Sequence, residues 1–510
     1  MFLFYSIESS LKGLRLLCRF TGGMEQPGKS EKYALPLLLA CALILSLLGA
    51  NSALRSDEVW SVETASHSFG QMMAELKDDV HPPLFYLLLF PWMRLVGTSE
   101  VAIRALSGLL FVLAVWTVYK WAETLGGPRA GLLSAAIFLS CPLSLVAAQL
   151  ARMYSLLLLA SALSTWMYWN VFVGGKQRYL PWWAAANVVG SMTHVWFFFL
   201  LFAQGMHWLL WRRKDGLRFA LGGAVSLTPY GLLWLPVLIR QLRKSSEATA
   251  WLEVPGLTDL EQLAFFYGGV FALALPWLLY QRFRAKTKEG QPVLGLLTIL
   301  AVALAVPFAV SQVKPMFYAR FTVIGLPIFA VAMGTWLARV CTWRVSVFLV
   351  GVTAAGSVYA AVYPTACDAQ SAARLLAKQS GGSTAIFTAL SRQPVDYYLK
   401  RSSGAPRLHE TSFPAEIDAH PGYEGKVLAP ERVTRYEIEA GELVRNLKLQ
   451  HTRVFYFHGF HPELDQLLLP KLEREFHAVP DQGVKCKSAN CYYTKISVFE
   501  PITPVIIPLE

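Results

Sequence analysis

The sequence predicts an α-helical polytopic membrane protein that carries a small α/β domain at its C-terminal end. Of its 510 residues 54% are hydrophobic and only 16% charged, with a mean hydropathy of +0.40. That is too apolar for a soluble chain of this length. Apolar runs of about 20 residues, long enough to cross a bilayer, recur from Tyr33 to Tyr363. Beyond Tyr363 the composition turns mixed, and short helical and strand patterns alternate.

Residues 1–32 read as a cytoplasmic N-terminal segment. Its apolar start is broken by Glu8 and followed by Lys12, Arg15, Arg19, Lys29 and Lys32, unlike a cleavable signal peptide. Met24 is an alternative start. About eleven spans are expected in the transmembrane domain, residues 33–363, near 33–50, 101–119, 129–147, 153–173, 179–192, 195–211, 217–239, 260–281, 292–311, 319–338 and 344–362. Residues 51–100 form the first outer loop.

The apolar stretch Pro82 to Gly97 decides the side of every later loop. If it lies flat as a juxtamembrane helix, the cytoplasmic connections are those with Lys120 and Arg129, Lys176 and Arg178, Arg212 to Arg218, Arg282 to Lys288, and Arg339 and Arg344. This obeys the positive-inside rule and agrees with the basic N-terminus. The loop holding Arg240, Arg243 and Lys244 is an exception. An odd number of spans then makes residues 364–510 extracytoplasmic, on the same side as Asp57.

In that tail, helices are expected over 368–378, 395–400, 436–449 and 463–476, and strands over 383–388, 426–428, 454–457 and 492–499. Cys486 and Cys491 have a spacing that suits a hairpin disulfide in an extracytoplasmic domain; two free thiols are the alternative. The net charge of +12 does not indicate a nucleic-acid partner, because the basic residues fall in short clusters between apolar runs. The partner they imply is the lipid bilayer.

On this topology the outer face gathers Asp57, Glu58, Asp78, Asp79, His81, Arg104, Gln149, Arg152, Tyr154, His194, Arg240, Arg243, Lys244, Lys314, Tyr318 and Arg320. Ionised groups near hydrocarbon persist when paired, solvated or used. Carboxylates with a surplus of cations suit an anionic, lipid-attached substrate whose reaction also needs a base. Guanidinium groups grip phosphate oxygens through paired donors.

Asp57-Glu58-Val59 followed by Asp79-Val80-His81-Pro82-Pro83-Leu84 resembles the first luminal loop of the protein O-mannosyltransferases, a layout shared with the bacterial C-type (GT-C) membrane glycosyltransferases. Further matches follow in order: Ser99 to Arg104, Gln149 to Ser155, Thr193-His194, and Lys314 to Phe321. Together they cover roughly residues 33–340, which carries more weight than any one motif.

The resemblance implies a GT-C fold, a monosaccharide donor on polyprenyl or dolichyl phosphate, and a lipid, polysaccharide or protein acceptor. It implies inverting displacement at the anomeric carbon, with Asp57 as general base and Glu58 positioning the acceptor or supporting a divalent metal ion. Arg152, Lys314 and Arg320 become candidates for the lipid phosphate. His81 stands where the similar lipid A aminoarabinose transferases carry lysine, so it is a candidate for phosphate, acceptor or metal. His194 and Asp79 are further acceptor or metal candidates, and His81, His194 and Glu58 form the metal set to test. In a bacterium the protein would sit in the inner (plasma) membrane.

Structural readings compete at several positions. Asp57 and Glu58 are also a favourable acidic pair at a helix N-terminus capped by Ser56. Arg104 reads as an interfacial anchor with its head in water, and Tyr154 as an interface aromatic. A transporter or lipid flippase is the alternative function, but it should show repeated halves or helices broken at the midplane. The sequence shows no such repeat.

Overall fold

The computed structural model describes residues 31–78, 81–211, 215–248, 252–269, 271, 291–362, 369–378, 382–388, 391–402, 408–418, 430–459, 462–480 and 495–502. It divides into two compact units. One comprises Met1–Ala50, Ala65–Arg243 and Glu253–Val362; the other comprises Asn51–Thr64, Lys244–Leu252 and Tyr363–Glu510. The boundaries therefore do not follow composition alone, since a piece of the first loop groups with the C-terminal residues.

The first unit is a helical membrane body. Among the described residues, four helices are long and apolar enough to cross a bilayer: Glu100–Ser140, Tyr154–Val173, Pro292–Val310 and Ala319–Val340. A fifth candidate is the pair Gly216–Leu233 and Leu235–Gln241, bent by 60°. Shorter apolar helices cover Tyr33–Leu47, Leu84–Val96, Phe197–Trp211 and Trp343–Ala355. Of the run expected at 260–281, the helix Leu257–Phe266 is described, and residues 272–290 lie outside the described residues.

Glu100–Ser140 is two helices in one continuous element. Gly126 and Gly127 leave helical geometry, Gly127 with φ 78°, a conformation glycine adopts without the Cβ penalty. A straight helix would separate residues 119 and 131 by about 18 Å. Instead a methyl group at Gly131 would lie 2.8 Å from the Tyr119 ring and 3.0 Å from its carbonyl oxygen. The chain doubles back at the glycine pair, between the runs expected at 101–119 and 129–147. The second arm stops at Ser140, and Pro142 opens a separate helix to Gln149, as proline favours a first turn.

Close helix approach rests on small residues elsewhere too. A methyl group at Gly334 would fall 2.2 Å from the Ser134 hydroxyl and 2.5 Å from its backbone nitrogen. Such pairs let membrane helices pack backbone to backbone.

The first loop holds three helices, Ser56–Ser66, Phe69–Asp78 and Leu84–Val96. The last has 13 residues, about 20 Å, short of the roughly 30 Å hydrocarbon layer. Gly97, at φ 103°, ends it. Arg94 secures it by donating to the carbonyls of Ala65 and His67 at 3.1 Å each.

The second unit contains a five-stranded sheet ordered β2-β1-β3-β5-β4. Here β1 is Ser383–Phe387, β2 Leu408–Ser412, β3 Arg453–His458, β4 Phe476–Val479 and β5 Lys495–Pro501. The pairs β1–β2 and β1–β3 are parallel; β3–β5 and β4–β5 are antiparallel. Every residue of β1 is buried, as is β3 from Val454 to His458, the pattern of central strands covered on both faces. Helices Pro430–Leu449 and Pro462–Glu475 cover one face, where Tyr436, Val444, Leu464, Leu468 and Leu472 pack with Val454, Tyr456 and Phe499. The strands β2 and β4 were not expected. Both are edge strands, one polar (Leu-His-Glu-Thr-Ser) and the other four residues long, as edges tend to be. The strand expected at 426–428 and the Cys486–Cys491 pair lie outside the described residues.

Candidate functional site

In the membrane body two of the residues singled out from sequence, His81 and Arg152, meet. Arg152 sits between helices Pro142–Gln149 and Tyr154–Tyr168, in a tight turn where its N–H donates to the Leu150 carbonyl at 2.7 Å. It is 5% exposed. Its Nη1 donates to the Tyr86 hydroxyl at 3.2 Å, and its Nη2 lies 3.3 Å from His81 Nε2. A guanidinium has no acceptor, so His81 Nε2 accepts and the ring proton sits on Nδ1.

His81 and Tyr86 reach that place because Pro82 and Pro83 precede the helix Leu84–Val96, and the Leu84 N–H donates to the Met192 carbonyl at 3.0 Å. That bond ties the start of this helix to the turn between Leu180–Ser191 and Phe197–Trp211. His194, at the tip of the turn, is 3% exposed, with its ring centroid 5.9 Å from that of His81. Its Nδ1 accepts from the Trp196 N–H at 3.1 Å, leaving the proton on Nε2. Burial most of all, then the electrostatic influence of the neighbouring His81 and Arg152, holds His194 well below the usual histidine range.

A third segment completes the group. Ala319–Gly325 forms a tight helical turn whose half-buried Arg320 lies 5.8 Å over the Tyr154 ring and 5.6 Å from that of Tyr318. Phe321 meets the His194 ring at 5.2 Å and Tyr318 at 5.4 Å. Two guanidiniums thus stand among aromatic faces at the ends of several helices, where water is partly excluded and an anion would be held strongly.

Lys314 is exposed in the turn after Gln291–Val310 and is not among the residues joined by these contacts. Asp79 lies outside the described residues. Arg104 corrects its expected role. It is 4% exposed and donates to the Ala50 carbonyl at 2.9 Å, so it ties down the first loop's start instead of reaching to water. Tyr154, read from sequence as an interface residue, is buried beside His194 and beneath Arg320. Tyr86 was missed. Its one signal was a hydroxyl-bearing ring three residues after the Pro-Pro pair, inside an otherwise apolar run.

Asp57 and Glu58 belong to the other compact unit. They occupy the first turn of Ser56–Ser66, where carboxylates are favoured by the helix dipole. Glu58 is fully buried, and its Oε2 accepts from the Arg55 N–H at 3.0 Å. Asp57 is only partly buried. The cap is therefore the carboxylate of Glu58 reaching back to Arg55, as in half of a capping box, while the hydroxyl of Ser56 is directed to Gln393 Oε1 at 2.8 Å. Among the described residues no three His, Cys, Asp or Glu side chains come together as a metal site.

Residues 80–234 match the family model described as dolichyl-phosphate-mannose-protein mannosyltransferase. Two solved structures share the fold. ArnT from Cupriavidus metallidurans, solved with undecaprenyl phosphate bound, is 14% identical, with a TM-score of 0.58 over 93% of this chain and 99% of that one. The apo oligosaccharyltransferase of Archaeoglobus fulgidus is 12% identical, with a TM-score of 0.54 over 95% of this chain and 76% of that one. No curated protein matches. The chain is a multi-pass membrane protein with the fold of the GT-C glycosyltransferases.

Proposed function

We propose that the protein is a glycosyltransferase that moves a monosaccharide from a polyprenyl-phosphate carrier to an acceptor hydroxyl outside the cytoplasmic membrane. The observation that carries this reading is the Arg152 guanidinium, buried and held by Tyr86 and His81 with Arg320 nearby. A charge kept in so dry a place suits an anion, and the phosphate of a lipid carrier is an anion delivered at the membrane surface. The undecaprenyl phosphate bound in the structurally similar ArnT supports the same donor class here.

In this reading Asp57 is the general base. Its carboxylate takes the acceptor's hydroxyl proton while the acceptor oxygen bonds to the anomeric carbon. The bond from that carbon to the phosphate oxygen breaks, the electron pair stays on the phosphate, and Arg152 and Arg320 stabilise the departing charge. Attack opposite the leaving group inverts the anomeric centre. Glu58, with Oε2 engaged by Arg55, shapes the turn that presents Asp57. His81 orients Arg152, and Lys314 offers an exposed charge to the lipid headgroup region.

The active side is the one facing away from the cytoplasm, with the N-terminus cytoplasmic. The test is a transfer assay in membranes with labelled polyprenyl-phosphate sugars. Asp57→Asn should lower turnover about 100-fold or more with the protein still folded. Full activity in that variant refutes the base assignment, and substrate crossing the bilayer without consumption of donor refutes the reaction.

A further inference from the structure

The segment that carries the acidic pair is gripped by side chains 330 to 344 positions away in sequence. Gln393, at the start of the helix Arg392–Arg401, accepts from the Ser56 hydroxyl at 2.8 Å and donates through Nε2 to Glu63 Oε2 at 3.5 Å. Ser56 and Glu63 lie two turns apart on one face of their helix, so one amide spans the element. From the same C-terminal helix the Tyr398 hydroxyl accepts from the Leu54 N–H at 2.8 Å, and Lys400 Nζ stands 3.9 Å from Glu63 Oε1. Asp57 sits between these attachments, immediately after Ser56.

The geometry points to Gln393 and Tyr398 as positioning residues for Asp57: the C-terminal domain holds the base in its working orientation. This rests on the proposed function, in which Asp57 takes the acceptor's proton. Ser56 Oγ and Leu54 N–H are not part of the proton transfer. Fixing them removes the rotation and sliding of the helix that would carry the carboxylate out of line. A displacement of about 1 Å at a reacting group costs on the order of 100-fold in rate, so two hydrogen bonds remote from the chemistry are enough to matter.

The test uses the full-length protein in membranes. Ser56→Cys combined with Gln393→Cys should form a disulfide under mild oxidation, which reports the attachment without any transfer reaction. Gln393→Leu and Tyr398→Phe should each lower kcat about 10-fold while the KM for the lipid donor changes less than about twofold. In an Asp57→Asn background neither should lower the residual rate further, because the position of an absent base has no consequence. A merely structural role would lower both backgrounds alike. The inference is overturned if no crosslink forms, if kcat is unchanged, or if the losses multiply. If the crosslink forms and Asp57→Asn is fully active, the proposed function has failed and the attachment stands.

Discussion

Arg152 and His81 meet nitrogen to nitrogen at 3.3 Å. Because a guanidinium cannot accept, Arg152 donates in this contact and His81 Nε2 accepts. Sequence left His81 open to phosphate, acceptor or metal; the contact with Arg152 adds a role that was not among them, orienting a cation. With Tyr86 on the other terminal nitrogen, Arg152 is fixed in plane before any phosphate arrives, and such preorganisation strengthens electrostatic stabilisation.

Arg152→Lys keeps the charge but cannot serve Tyr86, His81 and a phosphate with one fork of donors. Transfer is expected to fall about 10- to 100-fold, the worth of one to two charge-assisted bonds. Steady-state kinetics with a polyprenyl-phosphate sugar decide it. Wild-type rates in the lysine variant would mean that charge alone suffices.

Arg320→Ala should act more mildly, since Arg320 is half-buried and held over aromatic rings. The expected change is a rise of about three- to tenfold in donor KM with a smaller fall in kcat, the scale of one lost cation contact. A variant that binds the donor normally but turns over slowly would move Arg320 from holding the phosphate to some other task.

The lowered pKa of His194 has a pH signature. Below about 6.5 the unfolded chain binds a proton there and the folded chain does not. Stability therefore falls as pH drops below that value and is unaffected by this residue above it. Thermal unfolding in detergent between pH 7.5 and 5 should fall less steeply for His194→Asn than for wild type. Parallel curves would show that His194 titrates normally.

Asp396 behaves in the opposite sense. Burial, a hydrogen bond with Glu410 and the charge of Glu410 push its carboxyl up to about 8, against the opposing pull of Arg392 and Lys400. The Arg392 contact at 3.3 Å favours the ionised form, but burial and the second acid outweigh it. From about pH 4 to about 8 the folded state binds more protons than the unfolded state, and its stability falls as pH rises. Asp396→Asn should therefore gain on wild type as pH increases, levelling off above 8. A fixed difference at pH 5 and pH 9 would contradict this.

Gly190 closes the turn that carries His194. A methyl group there would lie 2.2 to 2.4 Å from the Phe197 ring, so Gly190→Ala must displace that ring. The expected cost is about 1 to 3 kcal/mol of stability, read as a lower Tm, together with reduced transfer. An unchanged Tm would mean that Phe197 swings away freely.

The membrane helices were legible because apolar length is a local property, and most expected runs coincide with a helix. The break between Ser140 and Pro142 was hidden by a run that stays apolar through it. Strands β1 and β3 were visible as short buried runs, whereas β2 and β4 were not, because an edge strand need not be apolar. At the site, Arg152, His81, His194 and Arg320 could be named from sequence as charges with no easy place in a membrane. What each one does is fixed by partners such as Tyr86, whose hydroxyl looks from sequence like any aromatic in an apolar helix. The grip of Gln393 and Tyr398 on the first loop has no local signal at all.

The 337-residue separation between Ser56 and Gln393 also sets an order in time. At the usual pace of about 5 to 20 residues per second, the ribosome needs about 20 to 70 s to travel from one to the other. Throughout that interval the helix that bears Asp57 lacks its clasp. A chain that stops short of residue 393 never acquires this attachment, so the first loop's fastening is a property of the finished protein alone.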